Sequence, residues 1–303
     1  MASSVFVTGA SSGLGLAASA ELAATGRHVI LGCRDVGRGR EAMRRIRART
    51  PEASLEVLET DLASLASVRA AAEELRGGRR PELHGLVCNA GVQVVSGVGR
   101  TADGHELTFG VNYLGHFLLA RLLMDHLARP GRIVTVSSGT HYGPPRSGWF
   151  PGPRWRHPRQ LADPDDSALD GSQKAGRIRY ATSKLACVYL TYELSRRLRD
   201  RDVTADAYDP GLMPQTRIGR DYSPGLRRLH HLVGPLLLAL PEVRTPESSG
   251  ADLAWTVTAP ELADVTGAYF VGRKPRASSK ESYDRDRAAQ LWDVSEELVA
   301  AAI

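Results

Sequence analysis

The chain has 303 residues, 42% hydrophobic and 24% charged, and its 39 basic against 34 acidic side chains give a formal net charge of +5. This is the composition of a folded globular protein, which excludes disordered, fibrous and disulfide-stapled classes. Three scattered cysteines, Cys33, Cys88 and Cys187, offer no metal-binding spacing and favour a reducing compartment, so a cytoplasmic protein without a metal is expected.

In chain order, short β-branched runs alternate with longer amphipathic ones. Val5–Thr8, His28–Cys33, Leu55–Glu59, Gly85–Cys88 and Arg132–Ser137 read as strands; Leu14–Thr25, Arg38–Arg49, a segment capped near Ser64 and Phe109–Leu127 read as helices. The first strand runs straight into a glycine loop, which is not a signal peptide. From 139 to 175 six prolines break the rhythm, predicting an insertion or flap. A helix over Lys174–Arg199, a strand Val203–Tyr208, a break at Pro210–Gly211, a strand near Ala268–Val271 and a tail helix from about Arg285 complete the pattern. The alternation predicts one α/β domain of Rossmann type: a doubly wound parallel sheet of about seven strands with helices on both faces. The leucine-rich run Leu236–Leu240, like every other apolar run in the sequence, is far short of the roughly 20 residues a bilayer requires.

The first βα turn reads Thr8-Gly9-Ala10-Ser11-Ser12-Gly13-Leu14-Gly15. Glycines there admit a pyrophosphate to the backbone, and the N–H groups opening the next helix bind its charge. The second strand ends in Cys33-Arg34, where a guanidinium suits the 2′-phosphate of NADP(H); the competing reading leaves Arg34 as a solvated charge with Asp35 turned inward. Tyr180 and Lys184 are four apart, hence on one helical face, and a neighbouring cation favours the phenolate needed for acid–base work.

Together these motifs resemble the short-chain dehydrogenase/reductase family over nearly the whole chain. The resemblance implies cofactor contacts from Gly9, Ser11, Ser12, Gly13, Leu14 and Gly15, an adenine-contacting pair Asp61 and Leu62, and a sheet-stabilising Asn89-Ala90-Gly91. It also implies a nicotinamide-side turn at Pro210–Gly211 and a carboxamide contact at Thr216 or its neighbour Gln215. Its catalytic set maps to Asn112, holding a water in a proton relay, Ser138, Tyr180 and Lys184, the last two also touching cofactor. Asp103-Gly104-His105-Glu106-Leu107, the run from Asn112 to Leu119 and Leu291-Trp292 look most like the retinol dehydrogenase and protochlorophyllide reductase branch.

Ser138 and Tyr180 are further apart than in compact family members, so 139–175 is expected to wall the substrate pocket, with His141 and Tyr142 as candidate contacts. Residues 212–245, rich in leucine, are expected to close over a large apolar substrate. The expected activity is NADP(H)-dependent interconversion of carbonyl and alcohol, in the manner of a ketoreductase. Alternatives are a redox-neutral epimerase or dehydratase and a non-catalytic NADP-binding regulator. Arginines and tryptophans within 146–159 also suggest nucleic-acid binding, but Asp163, Asp165, Asp166 and Asp170 cancel their charge. The expected partners are a small-molecule substrate and further copies of the chain in a homodimer or homotetramer, with no nucleic acid and no stable membrane insertion.

Overall fold

The computed structural model describes residues 3–77, 80–168, 170–213 and 243–300. Its strands are β1 (Ser4–Thr8), β2 (His28–Cys33), β3 (Leu55–Glu59), β4 (Leu83–Cys88), β5 (Gly131–Val136), β6 (Val203–Asp209), β7 (Tyr269–Val271) and β8 (Lys274–Arg276). They form one sheet in the order β3-β2-β1-β4-β5-β6-β7-β8, parallel throughout except for the final β7–β8 hairpin. The expected seven strands are thus eight. β8 escapes a hydrophobic reading because Lys-Pro-Arg is exposed at every position and pairs only through the turn that follows β7.

β1 and β5 are buried along their whole length, as strands covered on both faces must be. Alternation divides their side chains between two cores. Val5, Val7, Val134 and Phe270 pack under α1 (Gly13–Ala24), α2 (Val36–Arg49) and, once α3 to α7 have intervened, α8 (Pro246–Thr258). Phe6, Leu86 and Ile133 pack with α3 (Leu65–Arg76), α5 (Gly115–Leu123), α7 (Gln173–Arg197) and α9 (Arg285–Val299). Each fully buried Phe or Leu in these layers contributes about 1.5–3 kcal/mol. α1 and α8 touch backbone to backbone: a Cβ on Gly250 would lie 2.5 Å from that of Ala17.

The predicted single helix over Phe109–Leu127 is broken into α4 (Leu107–Phe109), a π-helical turn over Gly110–Leu114, and α5. Asn112 lies within this π-helical turn, a feature frequent at functional sites. Residues 139–175 carry a tight turn at Gly139–Tyr142, the short α6 (Pro158–Ala162) and the start of α7. The stretch is pinned to α7: the Arg154 amide donates to Thr182 Oγ1 at 2.9 Å and Trp155 meets Tyr189 edge-on at 4.8 Å. No helix among the described residues is long and apolar enough to cross a membrane.

Candidate active site

β1 neighbours both β2 and β4, so the chain's winding reverses there and opens a crevice at the strands' carboxyl ends, the usual ligand position in such sheets. The glycine loop rims this crevice. Gly9 and Gly13 hold φ of +68° and +57°, conformations open to glycine at little cost. Gly15 is fixed by space: a Cβ would lie 2.5 Å from both the Gly9 carbonyl and Asn89 Nδ2. Gly15→Ala is therefore expected to displace the loop, costing about 1–3 kcal/mol of stability together with nucleotide affinity, as thermal melts with and without NADPH would record.

Asn89 clamps the loop from β4. Its Nδ2 donates to the Thr8 carbonyl at 2.7 Å, while the Asn89 and Ala90 amides donate to Thr8 Oγ1 at 2.9 and 3.0 Å. α1 opens at Ser12, whose side chain caps nothing, and has no acidic residue in its first turn. By contrast Asp35, Ser64, Ser172, Thr245 and Asp284 cap α2, α3, α7, α8 and α9. The amides and positive end of α1 are thus left to an external anion, and the loop fits a dinucleotide pyrophosphate.

The end of β2 carries Arg34 and Asp35, both exposed. Asp35 Oδ1 accepts the Arg38 amide at 3.0 Å, so this carboxylate serves the helix. Arg34 is exposed and Arg38 half-buried. Burial pushes the Cys33 thiol up to about 11, with the Ser11 hydroxyl and the Arg38 guanidinium pulling the other way. Arg38 was not anticipated from sequence, although its spacing of four from Arg34 was the available signal. Asp61 Oδ1 accepts the Ala63 amide at 3.0 Å, and Leu62 is buried against Gly115 of α5.

The candidate catalytic residues converge at the ends of β4, β5 and β6. Lys184 is 4% exposed; its Nζ donates to the Val136 carbonyl at 2.9 Å and lies 5.7 Å from the centre of the Tyr180 ring. Burial lowers its affinity for a proton, with Cys187 and Asp209 opposing. Ser137 donates to the Lys184 carbonyl at 2.9 Å and is committed. Ser138 is half-buried, and its Oγ accepts the Thr140 amide at 3.3 Å and donates to no acceptor among the described residues. Phe150, from the flap, stands edge-on to Tyr180 at 6.0 Å.

Asn112 is more heavily engaged than expected. Its Oδ1 accepts the Val92 amide at 2.7 Å, and its Nδ2 donates to the Val92 carbonyl at 3.0 Å and Ser183 Oγ at 2.9 Å. Its carbonyl accepts His116 Nδ1 at 3.0 Å and Cys187 Sγ at 3.3 Å. In this arrangement Asn112 ties Val92 to α7. Gly91 leaves the space between them: a Cβ there would lie 3.3 Å from Asn112 Oδ1 and 3.6 Å from Lys184 Nζ.

His116 was also not anticipated. Bonding to the Asn112 carbonyl fixes its Nδ1 as a donor, so Nε2 of the neutral ring accepts Thr8 Oγ1 at 2.9 Å and links α5 to the glycine loop. Burial lowers its pKa to about 4. The unfolded chain, with an ordinary histidine near 6.5, takes up this proton first, so the stability His116 contributes is complete above pH 6.5 and is lost as pH falls toward 4. The stability advantage of the native protein over His116→Gln at pH 7 is expected to shrink by about 2–3 kcal/mol at pH 4.5, as denaturant titrations at the two pH values would show. Pairing native protein with variant cancels the opposite trend of buried carboxylates such as Asp206, raised to about 7.

His141 corrects an expectation. It is fully buried, with Nδ1 donating to the Ser138 carbonyl at 2.7 Å and Nε2 accepting the Ser279 amide at 3.1 Å. It therefore has no nitrogen to offer substrate. Tyr142 is half-buried and its hydroxyl donates to the Ala277 carbonyl at 2.6 Å, so only its ring remains for contact. Pro210 accepts Ser249 Oγ at 2.8 Å, and Gly211 turns with φ of +75°. Thr216, Gln215 and most of the expected closing segment 212–245 lie outside the described residues. At its ends, Leu212 and Val243 form a parallel bridge. The three cysteines are free and buried, and no metal-holding cluster occurs among the described residues.

Comparison with known proteins agrees with this geometry. Residues 3–147 match the short chain dehydrogenase family. Retinol dehydrogenase 13 of Homo sapiens is 37% identical over 97% of this chain and 84% of its own. Polyprenol dehydrogenase of Homo sapiens is 34% identical over 96% and 83%. A crystal structure from Mycobacterium paratuberculosis superposes with a TM-score of 0.69 at 30% identity, covering 99% of this chain and 94% of that one. The NADPH-bound short chain oxidoreductase of Pseudomonas aeruginosa, at 21% identity, shares the fold, with a TM-score of 0.65 over 91% and 97%. The chain belongs to the short chain dehydrogenase family and is one of its oxidoreductases. Within that family it falls in the retinol dehydrogenase-like branch.

Proposed function

We propose that the protein is an NADP(H)-dependent reductase that interconverts a carbonyl and an alcohol on a large apolar substrate, with Tyr180 as general acid and base. The observation that carries the reading is the Lys184 ammonium, buried behind the Tyr180 ring and held on the end of β5. Bound NADP(H) would supply the two-electron redox chemistry. Tyr180 donates its proton to the carbonyl oxygen in reduction and recovers it in oxidation. Ser138, whose proton is uncommitted, hydrogen-bonds that oxygen and orients it. Lys184 favours the phenolate electrostatically, and Asn112 fixes Val92 and Ser183 around the pair. Arg34 and Arg38 grip the 2′-phosphate. An apolar substrate is supported by Phe150 beside Tyr180 and by relatives named for retinol and polyprenol. The free cysteines suit the cytoplasm.

The test is a spectrophotometric screen of NADPH and NADH against aromatic, steroid-like and polyketide-like carbonyls. Stoichiometric NADPH oxidation supports the reading. Product formation without net NADPH consumption would instead identify an epimerase or dehydratase, and tight NADPH binding with no chemistry a regulator.

A further inference from the structure

We propose that Tyr269, Asp209 and His141 act as one positioning unit, holding the turn that carries Ser138 at a fixed separation from the Pro210–Gly211 turn. The proposal rests on the reductase reading and extends it to residues that touch neither substrate nor cofactor.

The unit starts with a divided carboxylate. Asp209 closes β6 and is 5% exposed; its Oδ1 accepts the Gly211 amide at 3.0 Å and its Oδ2 the Tyr269 hydroxyl at 2.9 Å. Burying a carboxylate demands that both oxygens be satisfied, and here each is satisfied by a different segment. The same Oδ2 lies under the residue following Ser138, since a Cβ on Gly139 would approach it to 3.3 Å. Tyr269, 1% exposed in β7, passes the link onward: its ring lies 4.9 Å from that of His141. His141 completes it at Ser138, whose carbonyl accepts Nδ1 at 2.7 Å. Because Nε2 must accept the Ser279 amide, the ring is held neutral in one tautomer and one orientation.

A continuous set of contacts therefore runs from the Ser138 carbonyl through His141, Tyr269 and Asp209 to the Gly211 amide. Two further bonds moor it to the chain's last segment, from Ser279 to His141 and from Tyr142 to Ala277. Small displacements of a polarising hydroxyl are costly to rate, which gives this rigidity a catalytic purpose. A core of aliphatic residues would fill the space without fixing the two turns relative to each other.

Tyr269→Phe removes one hydroxyl and keeps the ring. It is expected to lower kcat for carbonyl reduction about tenfold, the usual scale of a hydrogen bond to a charged group, while leaving the Kd and KM for NADPH within about twofold. Hydrogen exchange should rise together at 138–142 and 209–211. Phe270→Leu, on the opposite face of β7, is the control for general loosening of that strand. Exchange confined to 269–271, or a kcat loss no larger than in Phe270→Leu, would overturn the unit. If the native protein reduced no carbonyl, coupled exchange at the two turns would still uphold the unit while the reductase reading failed.

Discussion

Tyr180→Phe is expected to lower NADPH-dependent carbonyl reduction by about a thousandfold, within the range that one positioned acid–base group contributes, with NADPH affinity unchanged within about twofold. The separation of the two effects follows from the site. Removing the hydroxyl takes away the proton but leaves the ring between Phe150 and the Lys184 ammonium, 5.7 Å from its centre. Lys184 keeps its bond to the Val136 carbonyl, and the glycine loop keeps its clamp from Asn89. Steady-state kinetics with fluorescence titration of NADPH measures both quantities. Retained turnover would remove Tyr180 from the chemistry, and parallel loss of nucleotide binding would make it a structural residue.

The second large effect concerns the coenzyme. Replacing Arg34 and Arg38 together by alanine is expected to weaken NADPH by about two orders of magnitude and NADH by less than about threefold. Each charge-assisted contact to a phosphate is worth about 1.5–3 kcal/mol, and NADH lacks the group they would hold. Asp35 supplies the physical reason for expecting no compensating preference for NADH in the native chain. Its carboxylate accepts the Arg38 amide at the start of α2 and so is turned toward the helix, whereas a site for a free 2′-hydroxyl needs an acidic acceptor facing the ribose. Ratios of kcat/KM for the two coenzymes, in native protein and double variant, check this. Equal losses for both would return the two arginines to the solvated surface.

Much of the frame was legible in the sequence because strands buried on both faces must be continuously apolar and their connections amphipathic. The tail helix begins at Arg285 as expected, and where prolines break the rhythm the chain forms only short helical turns before α7. What was not legible depends on distant partners. β8 is three polar residues stabilised only by β7. The π-helical turn at Gly110–Leu114 leaves the hydrophobic period nearly intact, so nothing in spacing marks it. His141, in a polar and proline-rich context, reads as a pocket residue; its burial is imposed by Ser279, 138 positions later. His116 has the same character, since its role depends on Thr8, 108 positions earlier. Local motifs thus pointed to the residues proposed to meet ligands, while those that hold them in register emerged only from the tertiary structure.

The bridge between Leu212 and Val243 has an evolutionary meaning. It staples the exit from β6 to the approach to α8, so the thirty intervening positions begin and end at one point on the scaffold. Insertions or deletions between those two residues can therefore be accommodated without drawing β6 and α8 apart, and the length of the span is free to vary between lineages.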